Sequence, residues 1–310
     1  MDIDLVYLWV DGNDPEWQAK RNAFIGNAEE NTEINCKGRY ANNDELKYSL
    51  RSAEKYAPWL RKIFIVTDNQ TPDWLDTTNP KIKIIDHREI MPEESLPCFN
   101  SSVIEYFLHK IPDLSECFLL SNDDTFFSVE VSPGFFFAKD GFPFVRLNRK
   151  PFNKLRYWKK FLMGKKPGQY RKMVWDAAHL VKKKFGKYYS GIPHHNVDAY
   201  KKTDYCTAME NVFGEEVKNS LIHRVRTEGD LHRSIISYYA LAIGRGHLKY
   251  VGKREATRIS VYKSDFMKYI LRYQPKLFCL NDSEDVNDED RIKIKPFLET
   301  LFPEKSQFEK

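Results

Sequence analysis

The chain has 310 residues, 42% of them hydrophobic and 30% charged, which is too apolar for a disordered chain and enough for one large packed α/β unit or two small ones. It has no run of about 18 apolar residues, so no membrane-spanning helix is expected; the net charge of +5 permits an anionic partner without requiring one. Cys36, Cys98, Cys117, Cys206 and Cys279 stand far apart with no Cys-x-x-Cys pair, which argues against a zinc knuckle or a disulfide framework and for reduced thiols in a cytoplasmic protein. The first apolar run is interrupted by Asp4 and lacks a basic leader and a cleavage site, so no signal peptide is read there.

Taken in chain order, Leu5–Val10 is a near-continuous apolar run, the pattern of a buried, central, parallel strand. It ends in the turn cluster Asp11-Gly12-Asn13-Asp14, with Asp14 expected to cap a helix whose first residue is Pro15. Strand, polar turn and helix form the opening of a nucleotide-binding α/β unit, in which ligands bind outside the carboxyl ends of the strands. The pattern recurs. Asp44 is expected to cap a helix reaching Tyr56, ahead of Pro58. Ile63–Thr67 is a second strand and runs into Asp68-Asn69; Ile82–Ile85 is a third and runs into Asp86-His87. Ser102 and Glu105 predict a capping box for a helix through Lys110. Cys117–Leu120 is a fourth strand and runs into Ser121-Asn122-Asp123-Asp124. One polar strand end means little, but four in succession predict a shared polar edge.

From Arg146 to Lys187 the composition turns basic, with Tyr157, Trp158, Phe161, Leu162, Met163 and Trp175 interleaved. This stretch reads as an inserted helical element with a break at Gly164–Gly168. Beyond Gly191, helices are expected over 203–213 and 231–244, with a last one after Asp282–Asp290 that stops before Pro303. The predicted fold is α/β: a mostly parallel sheet flanked by helices, with a basic helical insertion. It is read as one unit of core (1–140), insertion (141–190) and completing segment (191–310).

Several residues carry chemistry. Asp123-Asp124 at a strand end can hold Mg2+ or Mn2+, since hard cations take oxygen ligands; the plain alternative is a solvated turn. Asp11–Asp14 lacks both the G-x-G-x-x-G and the G-x-x-x-x-G-K-[ST] spacing and by itself is a capping turn. His194 and His195 are adjacent and poorly placed to chelate one zinc, but one histidine beside a carboxylate such as Asp198 suits a general base. Arg224, Arg226 and Asp230 offer either a phosphate-binding fork or an ion pair at a helix start. Nothing resembles a Ser/His/Asp triad or a reactive thiolate.

As a set these residues resemble the Stealth family. Ile3–Trp17 resembles its first conserved region. Glu45–Ser52, Ala57–Asp68, Phe99–Glu105 and Asn122–Phe127 resemble its second. His194–Asp198 is similar to the third, and Phe278–Asp282 with Phe302-Pro303 and Ser306–Glu309 to the fourth and the tail. The resemblance runs nearly end to end and thins across the basic element, where acceptor contacts cannot be assigned. It implies a glycosyltransferase-A-like core and transfer of a hexose 1-phosphate, or an N-acetylhexosamine 1-phosphate, from a UDP-sugar to a hydroxyl of a glycan in bacterial capsule or coat-polysaccharide synthesis. By position it implies donor contacts from Trp9, Asp11, Gly12, Arg51, Asp68 and Asn100, a divalent metal on Asp123 and Asp124, and catalytic roles for His195, Asp198, Arg226 and Asp230. His195 is preferred over His194 because Asp198 follows it at the family's spacing.

In the implied reaction the acceptor hydroxyl attacks the β-phosphorus of the donor and a nucleoside monophosphate leaves. A conventional metal-dependent glycosyltransferase, attacking the anomeric carbon and releasing UDP, is the rival. A basic nucleic-acid-binding module is a second rival, set aside because it leaves the polar strand ends unexplained, so no nucleic-acid partner is expected. The expected partners are the UDP-sugar and a glycan acceptor carried on a lipid diphosphate. The basic element, through Trp158, Phe161, Leu162 and its lysines, is expected to touch an anionic membrane at the cytoplasmic face.

Overall fold

The computed structural model describes residues 1–25, 36–149, 168–263 and 265–310, with 155, 158–159 and 162–164 between them. Several residues of the basic element, among them Arg156, Tyr157, Lys160, Phe161, Lys165 and Lys166, lie outside the described set.

The apolar runs form the strands expected of them. A five-stranded sheet has the order β3-β2-β1-β4-β8, built from β1 (Ile3–Leu8), β2 (Ile63–Thr67), β3 (Ile82–Asp86), β4 (Cys117–Asn122) and β8 (Asp198–Lys201). β1 lies at its centre, parallel to both β2 and β4; only β8 is antiparallel. Leu5, Val6, Phe64, Ile65, Phe118 and Leu119 are fully buried, because side chains on both faces of a central parallel strand meet covering elements. Each such burial stabilises by about 1.5–3 kcal/mol. Asp4, the polar interruption in the first run, is also fully buried. Its carboxylate accepts from Arg61 Nε at 2.9 Å, Arg61 Nη2 at 2.7 Å and Ser115 N at 2.7 Å, and so joins the entrances of β1, β2 and β4.

Two small sheets complete the architecture. One has the order β10-β11-β5, from β5 (Thr125–Phe127), β10 (Ala256–Ser260) and β11 (Leu277–Asn281). The other has the order β7-β6-β9, from β6 (Phe144–Asn148), β7 (Ile192–Pro193) and β9 (His247–Tyr250). The stretch read as an insertion supplies β6 and a long helix, Gln169–Phe185, whose Val174, Ala177, Ala178 and Val181 join the main core with Val145 and Leu147. Its lysines occupy the outer face of an amphipathic helix.

The helix starts show where local rules yield to longer-range partners. α1 (Pro15–Ile25) is capped as expected, Asp14 Oδ1 accepting from Glu16 N at 2.9 Å. α2 (Glu45–Tyr56) is not capped by the Asp44 side chain: Asp44 is left-handed, with φ 67°, and pairs with Lys295 at 2.8 Å. The helix predicted to run to Lys110 is only Ser101–Glu105, and its cap is Asn100, which accepts from Ser102 N at 3.1 Å. Glu105 is then the fifth residue of the helix, beyond the third position that a capping box requires, and Arg233 Nη1 binds it at 2.7 Å. All five cysteines are free.

Arg51, expected at the donor, instead holds the C-terminal segment. Its Nε and Nη2 donate to the two carboxylate oxygens of Glu309, each at 2.7 Å, and its Nη1 to Phe302 O at 2.7 Å. The side chain is largely covered by the C-terminal segment and does not line the cavity, so it acts as a tether between distant parts of the chain. Burial pushes the Glu309 carboxyl up, but Arg51 and Ser306 outweigh it and hold it at about 2. Its stabilising contribution is therefore complete above the ordinary glutamate value near 4.3 and fades as pH falls toward about 2. Arg51→Ala should cost about 3 kcal/mol in urea unfolding at pH 7 while leaving the donor KM of the folded enzyme unchanged. A large rise in donor KM without loss of stability would return Arg51 to the donor site.

Candidate active site

The carboxyl ends of the parallel strands open into a cavity of about 370 Å3. β1 and the two residues after it contribute Leu8, Trp9 and Val10 to its wall; the residue after β2 is Asp68, and the end of β4 with the turn after it contributes Asn122, Asp123 and Asp124. Antiparallel β8 begins at this same edge, so His195, just before it, also lines the cavity. β1 lies between β2 and β4, which places the cavity at the topological switch point where ligands of such sheets bind. β10 and β11 close the far side with Arg258, Ser260, Leu280 and Asn281.

Asp123 and Asp124 are recessed side by side. Burial, then the neighbouring charges of Asp124 and Glu45, raise the Asp123 carboxyl well above the usual range. Burial pushes Asp124 up to about 6, against lowering by the Cys279 thiol, which donates to its Oδ2 at 3.3 Å, and by Arg39 and Arg233. Asp124 Oδ1 is buried with no hydrogen-bond partner among the described residues. Two adjacent carboxylates that resist ionising together, one with an orphaned oxygen, suit a hard dication. Ligating atoms of Asp124, His195 and Cys279 lie within 4.8 Å of one another. Oxygen donors suit Mg2+ or Mn2+, whereas Cys279 serves as a protonated hydrogen-bond donor whose pKa burial and Asp124 keep well above normal.

The histidine pair divides. His195 is held in the left-handed region, with φ 58°, and its ring meets Tyr170 edge-on at 6.3 Å. Burial, with Arg233, Arg258 and Arg39, pushes it down to about 3, so it is neutral at pH 7. The expected pairing of His195 with Asp198 is not the one formed: Asp198 Oδ1 lies 3.3 Å from Nε2 of buried His194 instead. Consecutive residues at a sharp turn point in opposite directions, which sends His194 to the carboxylate and His195 to the cavity. Burial opposes ionisation of Asp198, but His194 and Arg233 outweigh it and lower its pKa. Arg233 bridges Glu105 at 2.7 Å and Asp198 at 3.5 Å.

The remaining expected residues are split between wall and support. Trp9 and Asp68 line the cavity, and Asp68 Oδ1 binds Lys20 at 2.5 Å. Arg226 lines it too and donates to Ser101 Oγ; burial, then Arg39, pushes its guanidinium down to about 10. Asp11 and Gly12 stand behind the wall. Asp11 N donates to Gln70 Oε1 at 2.9 Å and Gly12 N to Tyr40 O at 2.9 Å. A Cβ on residue 12 would lie 2.1 Å from Tyr40 O, so glycine there lets the chain carrying Arg39 and Tyr40 close on the first strand. Asn100, expected to touch the donor, and Asp230, expected to be catalytic, are buried supports. Asn100 Nδ2 donates to Asp230 Oδ2 at 2.8 Å, and that oxygen also accepts from Thr227 N at 2.7 Å. His223 Nδ1 lies 2.6 Å from Asp230 Oδ1. These bonds fix the loop that carries Arg226, with no polar atom left over for a ligand.

Sequence reading assigned no role to Arg39, Glu45, His232, Arg233 or Arg258, all in the wall. Burial, then Asn43, sets the Glu45 carboxyl near 7. His232 is held well below its normal value by burial and by Arg233 and Arg226. A local signal existed for His232-Arg233, a polar pair directly before the apolar helix Ser234–Ala242. Arg39 and Arg258 sit in ordinary polar surroundings and carry none.

Models of the Stealth protein conserved regions match residues 1–29 (region 1), 39–145 (region 2) and 268–310 (region 4). A capsular polysaccharide phosphotransferase of Actinobacillus pleuropneumoniae is 34% identical over 290 residues, covering 90% of this chain and 76% of that protein. The chain belongs to the Stealth family. Other relatives include the capsular polysaccharide phosphotransferase SacB of Neisseria meningitidis serogroup A, 32% identical over 326 residues that cover 100% of this chain and 57% of that one. An exopolysaccharide phosphotransferase of Streptomyces coelicolor is 34% identical over 333 residues, covering 99% and 51%. Among solved structures, the galactosyltransferase LgtC in complex with donor and acceptor sugar analogs aligns over 98% of this chain and 96% of that one, with a TM-score of 0.47 and 12% identity. The family expected from the motifs is thus the family found.

The charge arrangement of this Stealth site generates a two-part expectation for Asp124→Asn. Binding of Mn2+, followed by electron paramagnetic resonance or calorimetry, should be lost. The metal-free variant should unfold at the same temperature as the parent or a higher one, because a buried like-charge contact is relieved. Undiminished Mn2+ binding by the variant, or full turnover of the parent in a chelator, would contradict the assignment.

Proposed function

We propose that this chain transfers a hexose 1-phosphate, or an N-acetylhexosamine 1-phosphate, from a UDP-sugar to a hydroxyl of an acceptor glycan. A phosphodiester of bacterial capsular or coat polysaccharide forms and UMP is released. The observation that carries this reading is the convergence, in one cavity, of an acid pair, a neutral histidine and several arginines. Such a set suits phosphoryl transfer, in which positioning and charge neutralisation supply most of the catalysis. The relatives named as polysaccharide phosphotransferases support it.

In this mechanism Arg226, Arg233 and Arg258 face the donor phosphates and balance the charge that builds on them. Asp123 and Asp124 would hold Mg2+ or Mn2+, which supplies further neutralisation of the diphosphate when bound. His195 takes the proton of the acceptor hydroxyl as its oxygen bonds to the β-phosphorus. The bond from that phosphorus to the bridging oxygen of UMP breaks, and the bond from the sugar to its phosphate oxygen survives. Burial and the arginines favour unprotonated His195; the anionic donor offsets the arginines' field and raises its proton affinity where a base is needed. Trp9, Tyr40 and Asp68 complete the donor side.

The acceptor is proposed to be a glycan on a lipid diphosphate at the cytoplasmic membrane face. Among the described residues no helix is long and apolar enough to cross a membrane. Leu155, Trp158, Leu162 and Met163 of the basic element are 73%, 66%, 67% and 58% exposed, and apolar side chains among lysines suit peripheral contact with anionic lipid. Trp158→Ala with Lys159→Glu should then reduce co-sedimentation with phosphatidylglycerol vesicles; parent protein that ignores such vesicles at low salt would rule the contact out.

Turnover tests the reaction itself. Across a panel of nucleotide sugars the productive donor should release nucleoside monophosphate; release of diphosphate would favour the conventional glycosyltransferase. His195→Ala should lose about 100- to 10,000-fold in kcat. His194→Ala should act mainly on stability, because His194 is buried behind the wall. Equal, mild losses in the two variants would refute the base assignment.

A further inference from the structure

A basic and aromatic track leads away from the cavity, and none of its outer part takes part in the mechanism above. β10 carries Arg258 in the cavity wall. Four residues back, in the turn 253–255 that leads into β10, Arg254 is exposed, as Arg258 is. Beside Arg254, Lys253 Nζ donates to the Tyr273 hydroxyl at 2.9 Å and lies 4.5 Å from the centre of that ring. The Arg272 guanidinium lies 5.4 Å from the same ring. Next to this group runs β9, which among the described residues pairs only with β6 and is exposed along most of its length. Its last residue, Tyr250, is 44% exposed and has the Arg149 guanidinium 5.2 Å from its ring centre. Tyr250 also reaches Gly191, where a Cβ would lie 3.3 Å from the ring. Gly191 is two residues before Pro193, which lines the cavity. The two arms of the track therefore both begin at the cavity wall.

The charge of this surface is of one sign. Glu255, the acid between Arg254 and Arg258, is neutralised by Lys249 at 2.7 Å. Asp265 lies at the opposite end of the helix from Arg272, where it caps Lys268 N at 2.9 Å. Cations that alternate with half-exposed rings match a polymer in which phosphodiesters alternate with sugars. Lysine and arginine take the phosphate oxygens, and the rings take the apolar faces of the sugars.

We infer that this track, centred on Tyr250, Lys253, Arg272 and Tyr273 and entering the cavity at Arg258, binds the phosphodiester-linked glycan that the enzyme extends. The inference rests on the proposed function and names the acceptor side of the same site. An anionic membrane would satisfy the cations, but it gives no reason for rings already flanked by cations to line the way to the cavity.

The test uses the full chain and measures binding apart from turnover. The probes are a phosphodiester-linked hexosamine oligomer, inorganic polyphosphate of similar charge, a neutral dextran oligomer, and vesicles of phosphatidylglycerol in phosphatidylcholine. Lys253→Glu with Arg272→Glu should weaken the phosphodiester oligomer by roughly tenfold or more at low salt. Tyr250→Ala with Tyr273→Ala should weaken the same oligomer while leaving polyphosphate binding unchanged. Both variants should still release nucleotide from the donor with a single-sugar acceptor, and should make shorter products from a polymeric one. Oligomer binding unchanged by the charge reversals would overturn the inference. So would aromatic variants that bind the oligomer normally, or vesicle binding lost in the charge-reversed variant while oligomer binding persists. If parent protein binds the oligomer through these residues but releases no monophosphate from any donor, the proposed reaction fails and the track stands.

Discussion

Two carboxylates, Asp123 and Asp124, are held next to each other in a recess where both resist ionising. A protein can keep such a pair charged only by surrounding it with compensating charge or by binding a cation, and this chain is organised for both. Arg39 and Arg233 lower the proton affinity of Asp124, and the Cys279 thiol donates to it. The same arginines push His195 toward the neutral form. The acids and the base are therefore set by one shared field, and any anion entering the cavity changes both at once.

Arg233 is itself a buried charge and Arg226 a half-buried one, and both must be held in place. Arg233 is held by Glu105 and Asp198, on elements 128 and 35 residues away. Arg226 is positioned through Asn100 and Asp230, whose bonds close the 223–230 loop. Gly12 lets the chain bearing Arg39 approach the first strand. Residues that look catalytic by their motif are in several cases the supports of residues that touch the cavity. Rigid support of this kind is what electrostatic preorganisation requires.

What could be read in the sequence was local. The four apolar runs and their polar ends located the strands and the edge on which the cavity lies, because a buried parallel strand has an unmistakable composition and a parallel sheet brings its carboxyl ends together. What could not be read was partnership across the chain. Arg51 looked like part of a donor motif because its neighbours are; its true partner, Glu309, is 258 residues away and leaves no local trace. Ser102 and Glu105 had the spacing of a capping box, but the helix starts earlier, on Asn100, which leaves Glu105 to pair with Arg233. Asp198 follows His195 at the spacing expected of a pair, yet with the left-handed turn at His195 it meets His194 instead. Arg39 and Arg258 became visible only when separate sheets closed around one cavity.

The central claim is that the surrounding charges serve attack at phosphorus and not at carbon. Its most direct measurement places 18O in the bond between the sugar and the β-phosphate of the donor and follows the label by mass spectrometry after one turnover. Attack at phosphorus predicts that the label stays with the sugar in the new phosphodiester while unlabelled nucleoside monophosphate departs. Label released on a nucleoside diphosphate, with none in the polysaccharide, would contradict it.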